Sequence, residues 1–198
     1  MRIYLDYNAT APALPEVVEA DARAMAGPPG NASSVHSFGQ QAKGDLDAAR
    51  AEVAALLGAE PSEIVFTSGG TEADNLAIRG AAEALEAAGR RHIVTTTIEH
   101  EAVLRTVRAL ERRGWETTLV PVDSRGIVSA EKVAEAVRPD TAVVSIMHAN
   151  NEIGTVQPIE AIARMLAGTG VLFHTDAVQS AGKIPVDVRR LGVDLLSI

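Results

Sequence analysis

The 198-residue chain has no cysteine at all, which excludes disulfides, thiolate metal sites and a cysteine nucleophile within it. Lysine is almost as scarce: Lys43, Lys132 and Lys183 are the whole set. Positive charge is in deficit, with 18 Lys and Arg against 26 Asp and Glu, a formal charge of −8 and a pI near 5.1. That sign is wrong for a phosphate backbone or an anionic bilayer, so neither nucleic acid nor membrane is expected as a partner. No stretch approaches the roughly 20 apolar residues of a membrane span. The N-terminus Met1-Arg2-Ile3-Tyr4-Leu5-Asp6 puts an acid where a signal peptide needs its apolar core, which points to a cytoplasmic protein.

The remaining composition is that of a folded chain: 46% hydrophobic and 22% charged residues, with mean hydropathy +0.09. It lies far from the core-poor composition of disorder. At about 100–200 residues per domain, the length fits one large domain or one and a half small ones.

Helical spacing runs from Pro15 to Ala26, with proline in the first turn and Gly27 as a stop. Gly27–Gly39 is rich in Gly, Pro, Ser and Asn and reads as a loop. Gln40–Leu57 repeats apolar residues at helical spacing before Gly58. Beyond it, short apolar runs at Glu63–Thr67, His92–Thr96, Glu116–Val122, Ala142–Met147, Val171–His174 and Val193–Ile198 read as strands. Helical segments at Thr71–Ala88, Glu101–Arg113, Ala130–Arg138 and Ile159–Leu166 alternate with them. Strand, crossover helix and strand in succession predict an α/β fold, a mostly parallel sheet with helices on both faces in a three-layer α/β/α arrangement. A final core strand with no covering helix reads as a domain incomplete at its C-terminus.

Ligands of open α/β sheets bind at the carboxyl ends of the strands, and four such places stand out. Thr67-Ser68-Gly69-Gly70-Thr71 lies between a strand and a helix, where bare N–H groups favour phosphate. A plain turn closed by a Thr71-x-x-Asp74 capping box accounts for the same residues. Glu99-His100 follows the second run, and its imidazole suits a base, a ligand or a flat surface for a ring, or is simply a hydrogen-bonded histidine. His148-Ala149-Asn150-Asn151-Glu152-Ile153-Gly154 places two amides together, which means either binding of a polar group or an Asx turn. Asp176, after the run ending at His174, is a metal ligand, a helix cap or the partner of a protonated ring nitrogen; no standard zinc or calcium spacing supports a metal.

Together, in this order and at these separations, the motifs resemble one family. The stretches Tyr4–Thr10, Gly30–His36, Phe66–Glu72, Glu99-His100, Asn150–Gly154 and His174–Ser180 are similar to the N-terminal half of the cysteine desulfurases. These are class V aminotransferase-family, pyridoxal 5'-phosphate enzymes of fold type I, and Asn150–Gly154 points to the branch serving iron–sulfur assembly. The resemblance implies that residues 1–14 contribute to a small domain and 15–198 form part of the large cofactor-binding domain. It implies a cofactor phosphate on Gly70 and Thr71, and a ring stacked on His100, the one catalytic side chain it assigns here. It also implies that Asp176 pairs with the ring nitrogen, that Gln179 donates to the phenolic oxygen, and that Asn151 lies near that oxygen and the substrate carboxylate. Asn31 and His36 would belong to a loop near the site or a dimer interface.

By the same resemblance the reaction converts L-cysteine to L-alanine and leaves sulfur as an enzyme persulfide, for a sulfur acceptor or iron–sulfur scaffold protein, in a homodimer. The lysine that attaches the cofactor should follow Val193–Ile198 in a Ser-x-His-Lys segment, beyond residue 198, as should the persulfide cysteine. Lys183, in its Gly-Lys-Ile-Pro setting, reads as structural. These 198 residues alone are therefore expected to be inactive. Alternatives are another class V member, such as a selenocysteine lyase or aminotransferase, a non-catalytic or split-chain fragment, and a generic nucleotide-binding α/β domain.

Overall fold

A computed structural model describes residues 2–198. Two compact units are present: residues up to Ala55 together with Glu60–Ile64, and Leu56–Ala59 together with Val65–Ile198.

The first unit holds helix α1 (Pro15–Ala26), most of α2 (Ser37–Leu57) and a 3-10 turn at Pro61–Glu63. Pro15 opens α1, where its missing N–H is harmless, and no residue of that helix is buried. Helix α2 begins at Ser37, earlier than the expected Gln40. The run Glu63–Thr67 is a correction: it forms no strand. Pro61 starts the turn, the Glu63 carboxylate accepts from the Glu60 N–H at 2.8 Å, and Ile64, though extended, joins no strand ladder. Val65 and Phe66 are 69% and 45% exposed, so an apolar run without a ladder partner stays out of the sheet.

The second unit is a five-stranded parallel sheet of order β2-β1-β3-β4-β5. Its strands are β1 (His92–Thr96), β2 (Glu116–Val120), β3 (Thr141–Ser145), β4 (Leu172–Asp176) and β5 (Leu195–Ser197). Its helices are α3 (Gly70–Glu86), α4 (Glu101–Glu111), α5 (Ala130–Glu135), α6 (Ile159–Leu166) and α7 (Val188–Leu191). Every residue of β1 and β3 is buried, as central strands covered on both faces require. Helix α3 packs on α4 and on β3, β4 and β5, while α5, α6 and α7 pack as a second group with α6 on β4. Ile78, Ile93, Val103, Val107, Leu110 and Val143 centre the core. Helix α7, four residues long, escaped the periodicity reading because it is too short to show a period.

The chain leaves β1 for β2 on one side and returns to place β3 on the other. The sheet therefore reverses its winding between β1 and β3, opening a crevice at their carboxyl ends.

Candidate active site

The loops at this carboxyl edge are tied together by side chains. Glu99, just after β1, accepts from the Met147 N–H with both carboxylate oxygens (3.1 and 3.0 Å) and from the Thr96 hydroxyl at 2.6 Å. Asn150 donates to the Ile98 carbonyl at 3.0 Å, while its Oδ1 accepts from Glu152 and Ile153 N–H at 2.9 and 3.0 Å. The Asx-turn reading of this loop is thus met by Asn150, while the half-buried Asn151 lines a cavity. An antiparallel bridge between Ala149 and Val156 closes the loop. The His148 imidazole binds the Ser180 hydroxyl at 2.9 Å, and burial pushes its pKa down.

A cavity of about 170 Å³ opens among these loops, lined by Gly70, Thr71, Asp74, His100, Met147, Asn151, Asp176, Val178 and Gln179. All six residues singled out from the sequence, Gly70, Thr71, His100, Asn151, Asp176 and Gln179, meet in it. Asn31 and His36 lie in the other unit, where Asn31 Oδ1 accepts from Ser33 N–H at 2.9 Å and His36 Nδ1 from Gly39 N–H at 3.3 Å. Asp74, Met147 and Val178 were not anticipated as lining residues; only the Thr71, Asp74 spacing of three, which shares a helix face, hinted at one of them.

The start of α3 forms part of the cavity wall. No side chain caps this helix, so the alternative reading of a Thr71-x-x-Asp74 capping box is not met. Asp74 turns inward instead, 1% exposed, and Glu72 reaches back to the Ser68 N–H at 2.6 Å. Gly69 has φ +149°, a conformation L side chains rarely adopt. A Cβ on Gly70 would stand 2.6 Å from Val178 Cγ2. The helix N-terminus is therefore kept bare, a place for an anion.

Asp176 also lines the cavity, 6% exposed, its Oδ1 accepting from Val178 N–H at 3.0 Å. Burial pushes its pKa up, while the Val178 N–H and the His100 imidazole pull it back. A buried carboxylate so placed suits a positively charged ring atom. His100 caps α4 by accepting from Ala102 N–H through Nδ1 at 3.1 Å, which fixes the ring at the cavity mouth. Gln179 accepts from Lys183 Nζ at 2.7 Å through its side-chain oxygen, and Asn151 donates to Glu152 at 2.9 Å. Lys183 holds Gln179 and is not itself a lining residue; none of the three lysines is. An anion, a flat ring and a ring cation would each meet a suitable group here.

Comparison with known proteins points the same way. Cysteine desulfurase IscS of Serratia proteamaculans is 52% identical over 198 residues, 98% of this chain and 49% of that protein. The enzyme of the same name from Dictyoglomus turgidum is 48% identical over 196 residues, 99% of this chain and 50% of its own. A NifS-like protein of known structure superposes with a TM-score of 0.94 at 43% identity, over 99% of this chain and 54% of that one. A structure of SspA in complex with cysteine gives 0.92 at 41% identity, over 98% and 55%. The chain spans about half the length of the curated relatives it matches. With the aminotransferase class-V pattern matching residues 3–198, the chain belongs to that family.

Proposed function

We propose that these residues form the cofactor-binding half of a pyridoxal-phosphate cysteine desulfurase, converting L-cysteine to L-alanine and passing the sulfur on through an enzyme persulfide. The observation that carries this reading is the pairing, across one small cavity, of a bare helix N-terminus with a buried carboxylate. A helix N-terminus without a side-chain cap and a buried carboxylate in one cavity suit a group that carries both a phosphate and a protonated ring nitrogen. Bound there, pyridoxal phosphate supplies the electron sink that lets bonds at the substrate's Cα and Cβ break.

The chain's own residues have distinct tasks in this reading. The N–H groups opening α3, with the Thr71 hydroxyl, bind the phosphate. His100 offers its ring face and holds the plane of the cofactor. Asp176 keeps the proton on the ring nitrogen, because a buried carboxylate stabilises an adjacent cation. Gln179, oriented by Lys183, donates to the phenolic oxygen, and Asn151 orients the substrate carboxylate. The attaching lysine and the sulfur-carrying cysteine come from beyond residues 1–198, consistent with relatives about twice as long. A homodimer, a sulfur-acceptor or iron–sulfur scaffold partner and a cytoplasmic setting complete the proposal, with residues 1–14 assigned to a small domain and 15–198 to the large one.

Titrating the purified protein with pyridoxal phosphate, followed by absorbance, tests this. Saturable binding that weakens at least tenfold in Asp176→Ala is expected; no saturable binding, or an unaffected variant, would overturn the assignment.

A further inference from the structure

Asp74 takes no part in the scheme above, yet its carboxyl is the most poorly satisfied polar group at the cavity. It is 1% exposed, and its Oδ1 has no hydrogen-bond partner. The Ser197 hydroxyl of β5 donates to the carboxyl. His174 Nε2 lies 3.7 Å from Oδ1, but the imidazole is tied up elsewhere, with Nδ1 on Ser145 Oγ and Nε2 on Ser197 Oγ, both at 2.9 Å. Burial pushes His174 down to about 4, so at neutral pH it brings no positive charge and the contact is not an ion pair.

The arginines of α3 and of the α4 packed against it, Arg79, Arg105 and Arg108, are exposed and lie outside the cavity lining. From β4 come His174 and Asp176; ahead of α4 come the buried Glu99 and the His100 ring; β3 and β5 contribute the hydroxyls of Ser145 and Ser197. On α3 itself, Glu72 is exposed and engaged with Ser68. Two buried carboxylates thus line one small cavity with no lysine or arginine beside them. Like charges in a shared low-dielectric site do not both ionise cheaply. The support is unequal: Asp176 accepts from a backbone N–H and is favoured electrostatically by the His100 imidazole, whereas Asp74 has one hydroxyl donor and an orphaned oxygen.

We propose that Asp74 is a positioning residue that shares one proton and one negative charge with Asp176, holding the proton itself so that the charge rests on Asp176. The proton stays within the pair until rising pH removes it from Asp74 to solvent. Burial and Asp176 together push the Asp74 carboxyl up to about 7, which sets the range of that loss. The consequence is a cavity carrying one negative charge below neutrality and two above it. Its use in holding a ring cation rests on the cofactor reading; the shared proton does not.

The test is a carboxyl-carbon NMR titration of the purified protein without cofactor, its Asp74 resonance assigned by loss in Asp74→Asn, a neutral isostere that copies the protonated shape. Expected is a midpoint near 7 that drops by ~1 pH unit or more in Asp176→Asn. An Asp74 midpoint in the ordinary carboxylate range, or one unmoved by Asp176→Asn, overturns the proposal, and the wild-type titration alone decides the first point should the second variant misfold. A parallel pyridoxal phosphate titration separates the two readings. Absent binding with the raised midpoint refutes the cofactor assignment and upholds the shared proton; normal binding with an ordinary midpoint does the reverse.

Discussion

Replacing Glu99 with glutamine should make the protein progressively more stable than wild type as pH rises. The carboxyl is buried beneath the cavity, joined to the backbone after β3 and to Thr96 of β1. Burial pushes its pKa from 4.5 to about 8, with Asp176 and Asp74 adding to the rise and its hydrogen bonds opposing it. An acid whose folded pKa is raised stabilises the fold fully below its unfolded value and loses that contribution as pH climbs through the folded value. Each unit corresponds to 1.36 kcal/mol. Between pH 5 and pH 8, wild type therefore loses about 4 kcal/mol that a non-titrating residue keeps. Glutamine is neutral throughout; its oxygen can keep the Thr96 contact and one of the two from Met147, while its NH2 facing the Met147 N–H adds a pH-independent offset that leaves the slope with pH as the readout. Urea unfolding of both proteins at pH 5, 7 and 9 reads the difference directly, because other titrating groups are common to the pair. Parallel stability profiles would show that Glu99 is ionised in the folded state and that the reasoning from its burial is wrong.

Two further expectations concern the cavity walls. Gly70→Ala drives a methyl against Val178 and should cost ~1–3 kcal/mol, while weakening pyridoxal phosphate binding by crowding the helix start; thermal unfolding and a cofactor titration check both. His100→Ala removes the cap of α4 and should lower stability by ~0.5–2 kcal/mol; the urea midpoint shows it, and a variant of unchanged stability would mean the Ala102 contact contributes nothing.

The sequence made some parts of this molecule readable and hid others for definite reasons. Strands β1 and β3 were legible because strands buried on both faces carry a short run of apolar and β-branched residues, and the residues directly after them were candidates because parallel strands end at one edge. Asp176 and His100 were found in that way. Asp74 was hidden, since Thr71-x-x-Asp74 spells a capping box equally well; its inward turn depends on Ser197 and His174, which are about a hundred residues distant in sequence. Glu99 stood out beside His100, but its tie to the loop after β3 did not, because the Met147 N–H that holds it is about fifty residues away in sequence. The run Glu63–Thr67 misled in the opposite sense: local apolarity is necessary for a strand, but a ladder needs a neighbour.

The clip that carries Asn151 has a thermodynamic meaning of its own. Asn150 N–H to Thr155 carbonyl at 2.9 Å, Gly154 N–H to Asn150 carbonyl at 3.0 Å and the Asn150 side chain on Ile98 hold this loop without help from any bound molecule. A loop already fixed has little freedom left to surrender when something docks, a saving of about 0.5–1.5 kcal/mol for each side chain that would otherwise be immobilised. Molecules entering the cavity should therefore encounter a receptive wall at first collision, with association limited by their arrival and not by slow rearrangement of residues 149–156.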